Sequence, residues 1–177
     1  MSVICKPFSF FEGFKDINQV ATVVSNLEDA VKKVSKTLAL GPWEIITFGP
    51  PRHFDTQVRG KPVFYSHKLA IAYMGPVQFE IIEPLEGPSI YKEFLKEGKD
   101  GMLHHVARYY QSWNDINQEI ARFEKQGIKV IQTGRFGTKE KYGQYFYFDT
   151  IPKIGFTYEI TMIPIDLPHL PPEQIML

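Results

Sequence analysis

Four residues of this chain have the types and strand positions to hold a divalent cation: Gln19, Glu80, His105 and Glu159. Together they supply one imidazole nitrogen, one amide oxygen and two carboxylates. That donor set, of net charge about minus two, suits Zn, Co, Ni, Mn or Fe with positions left open. Side chains alternate along a strand. Gln19 therefore shares a face with Ala21 and Val23, Glu80 with Gln78 and Ile82, His105 with Ala107 and Tyr109, and Glu159 with Thr157 and Thr161. Glu80 lies between Phe79 and Ile81, and Glu159 between Tyr158 and Ile160. A carboxylate in such company is costly if buried unpaired. Taken singly, a mid-strand Glu ordinarily faces solvent, and a strand His is ordinarily a hydrogen-bonded core or surface residue. Their joint placement on matched strands favours the metal.

The elements that must position these residues occur twice. Residues 17–24 are short and β-branched, which predicts a strand. Ser25 with Glu28 has the form of a capping box. Leu27, Ala30, Val31, Val34 and Leu38 then recur at helical spacing. Gly41-Pro42 stops that helix, and residues 43–48 read as a second strand. Residues 103–110 repeat the plan, with Ser112 as N-cap, the stripe Ile116, Ile120 and Phe123, a stop at Gly127, and a strand at 128–133. The two stretches align at an offset of 86, which sets Gly41-Pro42-Trp43-Glu44-Ile45-Ile46-Thr47 against Gly127-Ile128-Lys129-Val130-Ile131-Gln132-Thr133. The same offset sets Gln19-Val20-Ala21 against His105-Val106-Ala107, and a shared offset marks an internal repeat.

Two further strands complete each half, at 67–74 and 77–83 and at 144–149 and 154–163. The expected class is α+β: two tandem βαβββ modules whose sheets form a cupped cavity from their uncovered faces. The expected division is an N-terminal extension at 1–15, one domain at 16–163 and a Pro-rich extended tail at 164–177. Within the domain, module 1 covers 16–84, a linker with a short helix 85–101, and module 2 102–163. Residues 49–64 and 134–143 read as basic loops. Trp43 reads as core or cavity wall.

Composition sets the bounds. The 177 residues carry 20 basic and 20 acidic side chains, so the net charge is zero. A neutral chain has no electrostatic attraction to phosphate backbones, and nucleic acid is not an expected partner. No apolar run approaches the ~20 residues of a membrane span, so a membrane is not expected either. Residues 1–7 lack a charged-then-apolar signal pattern. The lone Cys5 suits a reducing compartment, so a cytoplasmic location is expected. No hydrolase elbow, phosphate loop or zinc-finger spacing occurs.

The duplicated plan resembles the vicinal oxygen chelate superfamily, which includes glyoxalase I, methylmalonyl-CoA epimerase, extradiol dioxygenases and bleomycin-resistance proteins. The resemblance spans residues 16–163. Its best local matches are Gln78-Phe79-Glu80-Ile81-Ile82-Glu83-Pro84, the segment 89–95, and Gly101-Met102-Leu103-His104-His105-Val106-Ala107. That order is most similar to methylmalonyl-CoA epimerases. Carried over position by position, the family's metal ligands fall on Gln19, Glu80, His105 and Glu159. His104 should point to the opposite face.

The resemblance implies a metal-dependent epimerase or isomerase. Such an enzyme abstracts a proton next to a thioester carbonyl through a metal-stabilised enolate, with Glu159 and Glu80 as the catalytic carboxylates. A glyoxalase I-like lactoylglutathione lyase would use the same four ligands, and a metal-free small-molecule binding module is the third reading. An extradiol dioxygenase wants a second His where Gln19 stands. One divalent metal per chain (Zn, Co, Ni, Mn or Fe) is the implied cofactor, and an acyl-CoA or thiol adduct the implied small-molecule partner. Arg52, Arg59, Lys61 and Arg135 are the candidate contacts for its phosphates or carboxylates. A homodimer is left open.

Overall fold

β1 (Gln19–Val23) leads into α1 (Leu27–Leu38), followed by β2 (Trp43–Phe48), β3 (His53–Val58), β4 (Lys61–Pro62), β5 (His67–Met74) and β6 (Val77–Pro84). α2 (Ile90–Lys96) connects to β7 (Leu103–Tyr110), α3 (Trp113–Glu124), β8 (Val130–Gly137), β9 (Tyr142–Phe148), α4 (Ile151–Ile154), β10 (Thr157–Met162) and β11 (Gln174–Met176). These elements come from a computed structural model that describes residues 17–168 and 171–177. The expected extension at 1–15, with Cys5, lies outside the described residues.

The strands form one curved, open sheet of 11 strands in the order β11-β2-β5-β6-β1-β7-β10-β9-β8-β3-β4. The class is α+β, built from two βαβββ modules as the repeat predicts. The register carries the repeat directly. In the antiparallel β1–β7 ladder, Gln19 faces Ala107 and Ala21 faces His105. Shifting Gln19 forward and Ala107 back by the 86-residue offset gives His105 and Ala21, the other pair. On either side the modules continue with a parallel pair, β1 with β6 and β7 with β10.

Apolar alternation decides which face each helix covers. Leu27 and Val31 of α1 pack on Trp43, Ala70 and Ile81. Ile116 and Phe123 of α3 pack on Phe148 and Ile160. Each such side chain, once fully buried, stabilises the fold by about 1.5–3 kcal/mol. Trp43 is a core residue, and its ring N–H reaches Ser35 Oγ at 2.8 Å. The inner face of the sheet stays open above a floor. There Tyr91 and Phe94 of α2 pack with Tyr65, Leu69, Ile82, Tyr145 and Tyr147.

Several local expectations need correction. Asn26, not Ser25, caps α1, its Oδ1 accepting from Asp29 N at 3.0 Å. Ser25 is engaged elsewhere, its Oγ donating to Asp100. The Glu83 carboxylate adds a second cap by accepting from Leu27 N at 2.9 Å, where negative charge suits a helix start. Residues 49–64 are not a simple loop. β3 crosses to the far edge of the sheet and pairs with β8 of the other module. Arg135 lies within β8, so the basic loop shrinks to 138–141. The tail ends in β11, which covers the outer edge of β2.

His104 also departs from expectation. The β1–β7 register shifts between Ala21 and Thr22, so that Ala21 faces His105 while Thr22 faces Leu103. A bulge of this kind inserts one extra residue and re-aims side chains. His104 therefore does not face away. It is buried against Tyr91 and Phe94, with ring centroids at 5.4 and 4.9 Å.

Candidate metal centre

The four strands nearest the seam between the modules are β6, β1, β7 and β10, and each contributes one of the expected residues. Their side chains meet at His105 Nε2. Gln19 Oε1 lies 3.1 Å from it, Glu159 Oε2 3.0 Å and Glu80 Oε2 3.5 Å. Exposure is 0% for His105, 4% for Gln19, 5% for Glu159 and 6% for Glu80. Gln19, Glu80 and Glu159 also line a cavity of about 360 Å³ whose other walls are mostly aromatic and aliphatic.

Neighbouring residues fix how these donors point. Gln78 Oε1 accepts from Gln19 Nε2 at 2.5 Å and from the Tyr109 hydroxyl at 2.7 Å. With its NH2 group held there, Gln19 turns its oxygen toward His105. Thr161 Oγ1 donates to Glu159 Oε1 at 2.5 Å. The other oxygen, Oε2, is buried and has no hydrogen-bond partner despite its closeness to His105. On the far side of the imidazole, His105 Nδ1 and His104 Nδ1 are 2.8 Å apart, a contact that needs one proton between two nitrogens. The Tyr147 ring lies edge-on to His105 at 5.0 Å.

The electrostatics are those of a site lacking positive charge. Burial first, then the nearby Glu159 charge, pushes the Glu80 carboxyl well above the usual carboxylate range, and a Gln19 hydrogen bond pulls it partly back. Two buried carboxylates this close are costly unless a cation is shared between them. Among the described residues, no group of three or more His, Cys, Asp or Glu is placed so that it could hold a metal ion. The side chains meet instead in pairs at one imidazole nitrogen. The donor types and the unpartnered Glu159 Oε2 fit the chemistry of a divalent cation, which Gln19, Glu80, His105 and Glu159 would be the residues to hold.

The four basic residues expected to bind substrate lie apart from the cavity. Arg59 pairs with Glu93 at 2.7 Å and Arg135 with Asp55 at 2.8 Å, both near the β3–β8 edge. Lys61 is exposed on β4, and the Arg52 carbonyl accepts from Gly137 N. None of them lines the cavity. Strand alternation places Gln78, Tyr109 and Thr161 on the correct faces but assigns them no role. Their position on the same face, two residues from Glu80 or Glu159 and four from His105, is the available signal. The contribution of Tyr91 and Tyr147 to floor and wall depends on how α2 docks, which no local pattern encodes.

Comparison with known proteins agrees with this architecture. The sequence profile of the glyoxalase/bleomycin resistance protein/dioxygenase superfamily matches residues 18–148. No curated protein matches in sequence. Among solved structures, a hypothetical protein from Bacillus halodurans C-125 superposes with a TM-score of 0.60 at 18% identity, covering 87% of this chain and 98% of that one. Methylmalonyl-CoA epimerase from Streptomyces coelicolor, solved in complex with 2-nitronate-propionyl-CoA, gives 0.57 at 14% identity, covering 88% and 99%. The Mycobacterium tuberculosis methylmalonyl-CoA epimerase gives 0.52 at 13% identity, covering 84% and 87%. At these identities the structures speak to fold, while the profile match over most of the chain speaks to ancestry. The chain belongs to the glyoxalase/bleomycin resistance protein/dioxygenase superfamily.

Proposed function

We propose that this protein is a metal-dependent epimerase or isomerase that moves a proton on the carbon next to a thioester carbonyl. The observation that carries the reading is the convergence of Gln19 Oε1, Glu80 and Glu159 on His105 Nε2, in the wall of a cavity large enough for an acyl group. A divalent cation bound by these four residues supplies Lewis acidity to two adjacent substrate oxygens.

The remaining work falls to the chain itself. Gln19 stays neutral, so the donor set keeps two negative charges rather than three. Thr161 holds one oxygen of Glu159 and leaves the other free to act. A carboxylate at that position takes the proton from the carbon next to the carbonyl, and the C–H electron pair moves into the carbonyl system as an enolate. Return of the proton to the opposite face inverts the centre; return to the neighbouring atom isomerises the substrate. Glu80, the other carboxylate in the cavity wall, is the second group able to hold that proton. The largely apolar walls keep bulk water from competing for it.

The test is α-carbon exchange of methylmalonyl-CoA in heavy water, followed by NMR, with added cobalt or zinc and a chelated control. Metal-dependent deuterium incorporation that is lost in Glu159→Gln supports the reading. Absence of exchange from protein holding one metal per chain overturns the epimerase. Turnover of methylglyoxal with a thiol by the same preparation would then identify a lyase.

A further inference from the structure

Part of the cavity wall takes no part in the chemistry above. After β10 the chain continues over the concave face of the sheet, where Ile163, Leu167 and Pro168 line the cavity. It reaches β11 on the outer edge of β2, with β5, β6, β1 and β7 between that edge and β10. The segment is tied along its length. Ile163 N donates to the Tyr110 carbonyl at 2.8 Å, and Leu167 N to the Pro164 carbonyl at 3.0 Å. Asp166 pairs with Lys141, in the turn between β8 and β9, at 2.6 Å. A Cβ at Gly137 would lie 3.3 Å from Leu167 Cδ1, so the leucine rests against a residue that has no side chain. Beyond the segment, Glu173 accepts from Thr47 Oγ1 at 2.7 Å.

The strands beneath contribute apolar side chains to the same cavity. Ile46 and Phe48 come from β2, Leu69 and Ile71 from β5, and Phe136 from β8. The two pairs are each two residues apart and so share a face of their strands. No Lys or Arg lines the cavity among the described residues, and its acidic side chains are Glu44, Glu80 and Glu159. A carboxylate or phosphate entering among these residues meets no cationic side chain, and a charge buried unpaired is costly. A single methyl group, the alkyl part of a methylmalonyl unit, would touch little of such a wall. The volume of about 360 Å³ lies within the roughly 300–1,000 Å³ typical of ligand sites and leaves space for a chain of several carbons.

We propose that the segment 163–168 roofs an acyl-chain chamber: the substrate carries an uncharged aliphatic group of several carbons, packed between Leu167 and the side chains of Ile46, Phe48, Leu69, Ile71 and Phe136. This rests on the thioester reading above and names the acyl group that reading leaves open. Leu167 is then a specificity residue, its bulk setting the length of chain admitted. Contacts of this kind favour each added methylene by a modest factor until the chamber is full, and reject a chain that ends in a charge.

The test measures, by calorimetry, the binding of N-acetylcysteamine thioesters to the full chain after chelator treatment. These probes keep the thioester and the acyl group and carry no phosphate. Affinity should rise about fourfold per methylene, or about fifteenfold from butanoyl to hexanoyl. The adipoyl monothioester, a chain of the same length ending in a carboxylate, should bind at least about tenfold more weakly than hexanoyl. In Leu167→Trp the hexanoyl advantage should fall below about threefold while butanoyl affinity stays within about threefold of the parent. Leu167→Met, of similar volume, should keep the series and guards against loss of fold. Equal affinity for butanoyl and hexanoyl, adipoyl binding as tightly as hexanoyl, an unchanged series in Leu167→Trp, or no binding of any probe overturns the proposal. No metal takes part, so these outcomes are separate from the α-carbon exchange. A steep series from protein that shows no exchange keeps the chamber and removes only the proton transfer.

Discussion

Gln78 decides which end of the Gln19 amide faces His105, so its replacement gives a sharp test of how the centre is built. Gln78 Oε1 accepts two hydrogen bonds, from Gln19 Nε2 and from Tyr109 OH. In Gln78→Met both are lost. The Gln19 amide is then free to turn its NH2 group toward the cation position, where it cannot act as a ligand. Each hydrogen bond contributes about 0.5–1.5 kcal/mol net, and a stranded donor costs about 1–3 kcal/mol. A loss of about 1.4–2.8 kcal/mol corresponds to a cobalt dissociation constant raised about 10- to 100-fold, the usual cost of removing an outer partner of a ligand. Gln78→Glu keeps the acceptor and adds negative charge, so its affinity should lie within about threefold of the parent or exceed it. Cobalt affinity by chelator competition, beside thermal unfolding of the metal-free proteins, separates this from general destabilisation. An unchanged dissociation constant in Gln78→Met, or equal weakening in Gln78→Glu, would refute the orienting role.

Further outcomes are expected elsewhere. Glu80→Ala and His105→Ala should each drop cobalt well below one per chain in dialysed protein; full occupancy in both would remove the basis for a metal centre. Burial holds His53 near pKa about 4 instead of 6.5. Its contribution to stability is therefore complete above pH 6.5 and is lost as pH falls toward 4, an effect of about 3 kcal/mol. Urea unfolding should show the parent losing stability over that window more steeply than His53→Phe, and parallel profiles would contradict this. Asn26→Ala should cost about 1 kcal/mol, or about 2–4 °C in Tm, through loss of the α1 cap. A larger shift from substituting Ser25 by Ala would reinstate the capping-box reading.

The parts of this fold that follow from strict alternation were legible in the sequence. Gln19, Glu80, His105 and Glu159 face one way because each lies in a strand whose neighbours supply an opposite apolar face: Phe79 and Ile81 around Glu80, Tyr158 and Ile160 around Glu159. What escaped depends on partners distant in sequence. His104 turned inward because a bulge breaks the period of two, and nothing local marks it. β3 carries the polar run His53–Val58, which alternates too weakly to declare a strand and gains its ladder from β8 across the sheet. Ser25 and Asn26 are both competent caps, and a hydrogen bond to Asp100 settled the choice. Arg59 and Arg135 have the charge to bind an anion, but acidic neighbours already occupy them.

The self-matching register of β1 and β7 bears on handedness. Gln19 and His105 are equivalent positions, as are Glu80 and Glu159, and Gln78 has Thr157 as its counterpart beside His105. Two identical halves related by a twofold axis would present the same demands to both ends of a ligand lying across that axis, and those ends would be interchangeable. Here one axis-related pair is carboxylate on both sides, while the other is an amide on one side and an imidazole on the other. Gln78 clamps the amide, whereas Thr157 Oγ1 at the matching place is buried without a partner. The broken symmetry gives the cavity a direction. Two chemically similar oxygens entering it meet different neighbours, so a substrate can be seated one way round and its faces told apart.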